Sequence, residues 1–169
     1  MLATALACDG PVALRYPRGM AAPFTPAEDL APVDVGRGVV LQEGRDVALV
    51  GIGTGVGIAR DAAVILAAQG EAPTLVDARF VKPLDTELLG RLAASHGRIV
   101  TVEENALAGG FGSAVLEVVG GAAQVVRFGL PDAFVAHGDR ERILADIGLT
   151  PQAVALAAGT RSPALTRVK

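Results

Sequence analysis

Apolar residues in this chain alternate between short continuous runs and runs with helical spacing. Residues 47–52 form an almost unbroken apolar run, which is typical of a strand buried on both faces of a parallel sheet. The next segment has apolar residues at helical spacing, with Thr54 as the expected cap and Gly70 at its end. Residues 74–77 predict another strand. This alternation is the pattern of βαβ units around a parallel sheet.

The alternation continues to the end of the chain. Asp85 is the expected N-cap of a helix that closes at His96, and residues 98–102 predict the next strand. The remaining predicted elements are a helix over 113–119, a strand over 123–128, helices over 140–147 and 151–158, and an edge strand over 39–41. We therefore expect an α/β fold: a three-layer domain with a mostly parallel sheet and helices on both faces.

The first 45 residues differ from the rest. Residues 1–7 predict the end of a helix and residues 12–15 a single strand, which together cannot bury a core. The Pro-, Ala- and Asp-rich stretch that follows is typical of a linker. We therefore divide the chain into the end of a preceding α/β domain (1–20), a linker with a possible edge strand (21–45) and one domain (46–169).

Composition narrows the class of protein. Of the 169 residues, 51% are hydrophobic and 20% charged, which is enough apolar material for a core. The net charge of −3 and the lack of a Lys/Arg cluster argue against a nucleic-acid partner. The apolar run 47–59 is too short and too rich in glycine to span a membrane. With a lone Cys8 and no basic secretion signal, we expect a cytoplasmic protein without a membrane partner.

Two carboxylates and an amide directly follow the predicted strand 98–102. In parallel sheets, ligands and partners usually bind where strands end and helices begin. Glu103, Glu104 and Asn105 are therefore candidate acid/base groups, cation ligands or hydrogen-bond acceptors for a partner. Because they are consecutive, they cannot all point into one small site, so an anchoring role at an interface is at least as well supported as catalysis.

Two arginines, Arg15 and Arg18, lie at the end of the predicted strand 12–15. Arginine suits bidentate binding of phosphate. The alternative is a pair of solvated or interface arginines, and spacing alone favours that alternative.

The connection from Arg79 to Asp85 holds two cations and a carboxylate. The simplest interpretation is a loop held by an ion pair of Arg79 or Lys82 with Asp85 or Glu103. His137 has a titration range near neutral pH but has no nucleophile or second histidine at ligand spacing. We therefore interpret it, like His96, as structural.

Four glycines between Gly51 and Gly57 follow the first buried strand. Their spacing fails the dinucleotide-binding fingerprint, because its third glycine would fall on Val56 or Ile58. A tight strand-to-helix turn with close backbone packing is the favoured interpretation.

Four segments together resemble one enzyme family. They are Asp9–Gly19 (DGPVALRYPRG), Asp77–Asp85 (DARFVKPLD), Thr101–Glu117 (TVEENALAGGFGSAVLE) and Gly129–Gly138 (GLPDAFVAHG). In this order they resemble the C-terminal part of the 1-deoxy-D-xylulose-5-phosphate synthases. The resemblance implies a thiamine-diphosphate- and Mg²⁺-dependent transferase that condenses pyruvate with D-glyceraldehyde 3-phosphate and releases CO2, in isoprenoid, thiamine and pyridoxal biosynthesis.

The resemblance also implies what this chain lacks. Residues 1–20 correspond to the end of the second, pyrimidine-binding domain, and 46–169 to the transketolase-type C-terminal domain. The family's Gly-Asp-Gly motif, cofactor glutamate and catalytic histidines lie upstream. We therefore expect no catalytic residue, cofactor or metal site here, and no turnover by the chain alone. The expected partners are the upstream domains, a homodimer mate and, in the full enzyme, the small-molecule substrates.

Residue roles follow from the same resemblance. Arg18, with Arg15 as second choice, is expected to contact the substrate phosphate. The expected interface or loop anchors are Lys82, Asp85, Glu103, Glu104 and Asn105. The main alternative is a stand-alone interaction subunit of a split transketolase-like or 2-oxoacid dehydrogenase β-type enzyme. A small nucleotide-binding protein that uses the Gly51–Gly57 turn is a third hypothesis. Apolar surface separated from its neighbours also predicts self-association.

Overall fold

A computed structural model of the chain describes residues 1–17 and 31–159. The helices are α1 (Leu2–Ala7), α2 (Gly55–Ala68), α3 (Thr86–Ser95), α4 (Phe111–Val119), α5 (Arg140–Asp146) and α6 (Pro151–Ala158). The strands are β1 (Val39–Gln42), β2 (Ala48–Gly51), β3 (Thr74–Asp77), β4 (Arg98–Ala106) and β5 (Gln124–Leu130). The predicted helices and the strand 74–77 are confirmed with small shifts of their ends.

The five strands form one sheet in the order β1-β3-β2-β4-β5. Strands β2, β3, β4 and β5 are parallel, and only β1 runs antiparallel, at the edge beside β3. This confirms the mostly parallel sheet and the edge strand near residue 40. Because β2 to β5 run the same way, their carboxyl ends and the connections that follow them share one edge of the sheet.

Helices cover both faces of the sheet, as predicted. On one face, Leu66 of α2 and Val154 of α6 pack with Leu49 and Val100 in a fully buried cluster. On the other face, α3 and α4 pack on the alternate side chains of the same strands, with Phe111 fully buried. Consecutive strand residues therefore point into two different cores, which is why the strands are apolar at nearly every position.

The strand predicted over residues 12–15 does not form. Residues 11–17 belong to no strand and are exposed. A strand is stable only beside another strand that pairs with its backbone, and no described neighbour pairs with this segment. Helix α1 instead contacts the segment before β1, where the backbone N–H of Val33 donates to the hydroxyl of Thr4 over 2.9 Å.

Helix caps agree with prediction in one case and differ in another. Asp85 caps α3, with its carboxylate accepting the N–H of Leu88 over 2.9 Å. Thr54 occupies the N-cap position of α2, but its side chain makes no capping hydrogen bond. Gly70 follows that helix with a φ of 85°, the left-handed conformation expected of a terminating glycine. Within the described ranges, no helix is long and apolar enough to cross a membrane.

Candidate functional site

The carboxylates after residue 102 lie on a strand, not in a loop. Strand β4 extends to Ala106, past the end predicted at Val102, with a register shift against β5 between these two residues. Glu103 is buried, Glu104 half-buried and Asn105 exposed. Successive side chains of a strand point to opposite faces, so the three side chains do not share one face of the sheet.

Glu103 is a buried carboxylate near the carboxyl end of β4. Its side chain is 1% exposed, and its two oxygens accept the N–H groups of Phe111 over 2.8 Å and Gly112 over 2.7 Å. These amides belong to the first turn of α4, where N–H groups have no partner within the helix. The carboxylate therefore caps α4 and places its negative charge at the positive end of the helix.

Two glycines leave room for this contact. A Cβ on Gly110 would lie 2.6 Å from one oxygen of Glu103, and a Cβ on Gly112 would lie 2.5 Å from the Thr101 hydroxyl. Both distances are far below van der Waals contact. The Thr101 hydroxyl is itself buried and has no hydrogen-bond partner within the described residues. Close packing of α4 on β4 thus explains Gly110 and Gly112 of the Gly-Gly-Phe-Gly motif.

Glu104 pairs with Arg140 on the other side of β4. Both carboxylate oxygens take part: Oε2 accepts from Nε over 3.2 Å, and Oε1 accepts from Nη2. Arg140 is the first residue of α5, whose N-cap is Asp139. This two-point ion pair joins β4 to α5, 36 positions further along the chain. Glu103 and Glu104 are therefore both anchors within the domain.

Asp85 also anchors a loop, but its cation is one that the sequence did not suggest. Arg37 donates to Asp85 over 3.4 Å and to Glu87 over 2.6 Å, and the Gly38 N–H donates to Asp85 over 3.0 Å. The ion pair predicted for this loop with Arg79 or Lys82 is thus replaced by one with Arg37, two residues before β1.

The contacts of Asp85 favour its charged form. Burial works against ionisation, but the N–H groups of Leu88 and Gly38, together with the Arg37 guanidinium, hold the pKa of Asp85 below its usual value. Hydrogen bonding to Arg37, followed by the charges of Arg37 and Arg91, lowers the pKa of Glu87. An ion-pair network therefore holds the start of α3 to Arg37 and Gly38, which lie just before β1.

The remaining predicted residues are scattered. Lys82 is exposed on the connection after β3, and Arg15 is exposed in the segment before the linker. Arg18 lies outside the described residues. The structure therefore brings Glu103, Glu104 and Asn105 to one strand but does not bring Arg15 to them.

The contacts of His96 fit the structural interpretation. His96 is buried, and its ring nitrogens lie 2.9 Å from the hydroxyls of Thr74 and Ser95. Thr74 also accepts the N–H of Gly44 over 2.9 Å, so the network ties the end of α3 to the start of β3. His137 is exposed on the connection between β5 and α5.

Sequence reasoning missed Arg98. Its Nη1 donates to the carbonyls of Ala157, Ala158 and Gly159 over 3.0–3.2 Å. These carbonyls end α6, where helical carbonyls have no partner within the helix. A basic residue at the start of a predicted strand carried no sign of this contact, because the helix it caps lies about 60 positions away.

The glycine-rich turn after β2 is a packing feature. A Cβ on Gly51 would lie 2.6 Å from the Cα of Val56, and a Cβ on Gly55 would overlap the carbonyl of Val102. The turn is closed on its own backbone, with the N–H of Gly55 donating to Ile52 over 3.0 Å. This geometry supports the favoured interpretation of a tight strand-to-helix turn.

The described residues do not fit a metal–diphosphate site. In residues 1–17 and 31–159, no group of three or more His, Cys, Asp or Glu side chains is arranged to hold a metal ion. The carboxylates at the sheet edge are occupied by helix amides and by arginine. The arrangement is suited to holding loops and helices in place.

Comparison with known protein families gives a match that covers most of the chain. Residues 36–154 match the family model of the transketolase C-terminal domain. This range begins just before β1 and ends within α6, so it contains the whole five-stranded sheet.

Two curated relatives illustrate the similarity. The 1-deoxy-D-xylulose-5-phosphate synthase of Symbiobacterium thermophilum is 53% identical over 158 residues, which is 92% of this chain and 24% of that protein. A synthase of the same name from Heliobacterium modesticaldum is 51% identical over an equal length. The chain spans about a quarter of the length of these relatives.

Solved structures agree on the fold. One solved structure is described as a split-gene transketolase, an inactive "beta4 tetramer". It has a TM-score of 0.71 and is 39% identical, and the match covers 76% of this chain and 43% of that chain. A transketolase of Pichia stipitis has a TM-score of 0.52 at 22% identity and covers 72% of this chain, a likeness of fold alone. Together with the family match, these findings show that the chain belongs to the transketolase C-terminal domain family.

Proposed function

We propose that this chain is the C-terminal domain of a thiamine-diphosphate-dependent 1-deoxy-D-xylulose-5-phosphate synthase. The observation that carries the proposal is the 53% identity to a synthase of that name over 92% of this chain. The parent enzyme joins pyruvate to D-glyceraldehyde 3-phosphate with loss of CO2. Within it, the domain serves contacts with the upstream domains and with the second subunit.

The anchoring contacts support a scaffolding role in place of a catalytic one. Glu103 holds α4, Glu104 holds α5, and Asp85 holds the segment that joins β1. Each carboxylate is engaged by groups of the same domain, so none is a cofactor ligand in this proposal. Thiamine diphosphate and Mg²⁺ belong to the upstream domains, and no step is assigned to residues of this chain through them.

The substrate-facing residue in this proposal is Arg18, with Arg15 as the alternative. The test uses a chimera in which this chain replaces the matching quarter of the Symbiobacterium thermophilum relative. Arg18→Ala in the chimera should raise KM for glyceraldehyde 3-phosphate by about tenfold or more, because it removes a charged contact to phosphate. KM for pyruvate should change little. Arg15→Ala is the comparison variant, and equal losses for both substrates would count against the assignment.

The proposal also makes a prediction for the isolated chain. Calorimetric titration with thiamine diphosphate and Mg²⁺ should give no binding heat above dilution, since the residues that hold the cofactor lie in the upstream domains. Micromolar binding would show that the cofactor site has been assigned to the wrong part of the enzyme.

A second candidate is a separately encoded interaction subunit. It is favoured by the likeness to a split-gene transketolase chain, of which this chain covers 43%. The test is to mix this chain with the Symbiobacterium thermophilum relative truncated before the matched region, and to assay synthase activity. Activity recovered in trans would favour the subunit, whereas activity in the covalent chimera alone would favour a domain of one continuous enzyme.

A further inference from the structure

One buried hydroxyl joins the N-terminal segment to the domain. Thr4 is 5% exposed, whereas Leu2 and Leu6 of the same helix are 63% and 80% exposed. Its hydroxyl accepts the N–H of Val33 over 2.9 Å and donates to the Val33 carbonyl over 3.4 Å. A threonine hydroxyl has one donor and two acceptor positions, so one side chain serves both backbone groups of Val33. We call this pair of hydrogen bonds the Thr4 clasp.

The Thr4 clasp is the polar connection between the N-terminal segment and the rest of the described chain. No other hydrogen bond or ion pair joins residues 1–17 to residues 31–159. Helix α1 ends at Cys8 in extended backbone, and residues 11–17 are exposed and belong to no strand. The clasp is therefore the directional contact that sets where this segment lies on the domain.

The backbone that the clasp holds is itself fixed to the domain. A turn follows Val33 and is closed by the N–H of Arg37, which donates to the Asp34 carbonyl over 3.3 Å. The guanidinium of Arg37 then pairs with Asp85 at the start of α3. A short and anchored path therefore runs from Thr4 to α3, so the clasp positions α1 relative to the folded domain.

The segment held by the clasp carries the arginines to which the proposed function assigns the substrate phosphate. Arg15 follows α1 on this segment and is exposed, and Arg18 comes three positions later, outside the described residues. A misplacement of about 1 Å costs an enzyme about 100-fold in rate when it reaches the reacting groups. Where α1 lies on the domain therefore affects how well these guanidinium groups meet a phosphate.

We propose that Thr4 is a positioning residue for phosphate recognition, because its hydroxyl fixes the segment of Arg15 and Arg18 on the C-terminal domain. The inference rests on the proposed function, which supplies the role of the two arginines. Thr4 touches neither substrate nor cofactor and acts through the arginines. The domain thereby contributes to the binding of glyceraldehyde 3-phosphate from outside the active centre.

The clasp is tested on the isolated chain by hydrogen exchange resolved by residue with NMR. Thr4→Val keeps the shape of the side chain and removes the hydroxyl, so the Val33 amide should exchange about fivefold faster. Thr4→Ser keeps the hydroxyl and should exchange like the wild type. Thr86→Val, the same change at an exposed position of α3, is the matched control and should also exchange like the wild type. Equal exchange of the Val33 amide in Thr4→Val and in the wild type would overturn the clasp.

The positioning role is tested in the synthase chimera, built to include residues 1–17 of this chain. Thr4→Val should raise KM for glyceraldehyde 3-phosphate about fivefold and leave kcat and KM for pyruvate nearly unchanged, and Thr4→Ser should restore the original KM. A fall in kcat alone, or an equal rise of both KM values, would show a merely structural role and overturn the inference.

The two proposals fail in different ways. An active chimera in which Thr4→Val changes no kinetic constant would overturn the positioning role and leave the proposed function standing. A folded chimera that forms no product with the wild-type Thr4 would overturn the proposed function, and the positioning role with it.

Discussion

The carboxylate of Glu103, inside the domain, accepts a 2.8 Å hydrogen bond from the backbone N–H of Phe111 at the start of α4. The bond fixes the helix relative to the strand eight residues before it. The role of the Glu103 carboxylate is structural, because helix amides use both of its oxygens.

Replacing Glu103 by glutamine should destabilise the domain by about 1.5–3 kcal/mol, since a charge-assisted cap is lost and an amide N–H₂ meets a backbone N–H. Urea unfolding monitored by circular dichroism measures the change. The control is Glu117→Gln at an exposed position of α4, which should stay within about 0.5 kcal/mol of wild type. Equal stability of the two variants would mean that Glu103 does not cap α4.

Gly112→Ala should destabilise by about 1–3 kcal/mol, because the added Cβ would lie 2.5 Å from the buried Thr101 hydroxyl. The matched variant is Gly90→Ala in α3, where a Cβ would meet nothing within 4 Å. That variant should stabilise by about 0.5–1 kcal/mol through helix propensity. Midpoints of thermal unfolding compare the pair, and a shift of the same sign in both would contradict the packing account.

The Asp85 charge should make stability depend on pH. Contacts lower its pKa in the folded state below the ordinary 3.8, so ionised Asp85 stabilises the fold above that value, and this contribution fades as pH falls through the folded pKa. Asp85→Asn should therefore cost about 1 kcal/mol at pH 7 and progressively less below pH 3.8. Urea unfolding of the wild type and of Asp85→Asn between about pH 2.5 and about pH 7 measures this difference in stability. Asp61→Asn is the exposed control, and a gap that does not change with pH would refute the assignment.

Arg98→Ala should destabilise by about 1–2 kcal/mol and loosen α6, because three terminal carbonyls of the helix lose their donor. Hydrogen exchange followed by mass spectrometry should show faster exchange in Pro151–Ala158. Arg91→Ala removes an exposed arginine paired with exposed Glu87 and should leave that exchange unchanged. Unchanged protection of α6 in Arg98→Ala would show that the cap is dispensable.

The central strands could be predicted from sequence because β2, β3 and the first part of β4 are buried on both faces. The run 47–52 and the run 98–102 were apolar enough to place two central strands, and Asp85 placed a helix start. The prediction over 12–15 was wrong because an apolar run shows that a strand is favoured locally but not that a partner strand exists. The sequence predicts too early an end for β4 because a glutamate after an apolar run favours a loop, whereas helix amides satisfy the Glu103 carboxylate inside the fold.

The contacts of the candidate site were largely beyond sequence reasoning. The partners of Glu104 and Arg98 lie about 36 and 60 positions away, and no local pattern marks such pairs. Asp85 was correctly placed as a cap, but its arginine came from before β1. The family could be predicted from the sequence segments that carry the likeness. The roles of Arg15 and Arg18 remain predictions.

The most direct test of the central claim is the rate at which the chimera forms 1-deoxy-D-xylulose 5-phosphate from pyruvate and glyceraldehyde 3-phosphate. The chimera carries this chain in place of the matching quarter of the Symbiobacterium thermophilum relative. We predict kcat within about tenfold of that relative, because the exchanged region is 53% identical between the two. A folded chimera of native oligomeric state that binds thiamine diphosphate but forms no product would contradict the proposed function.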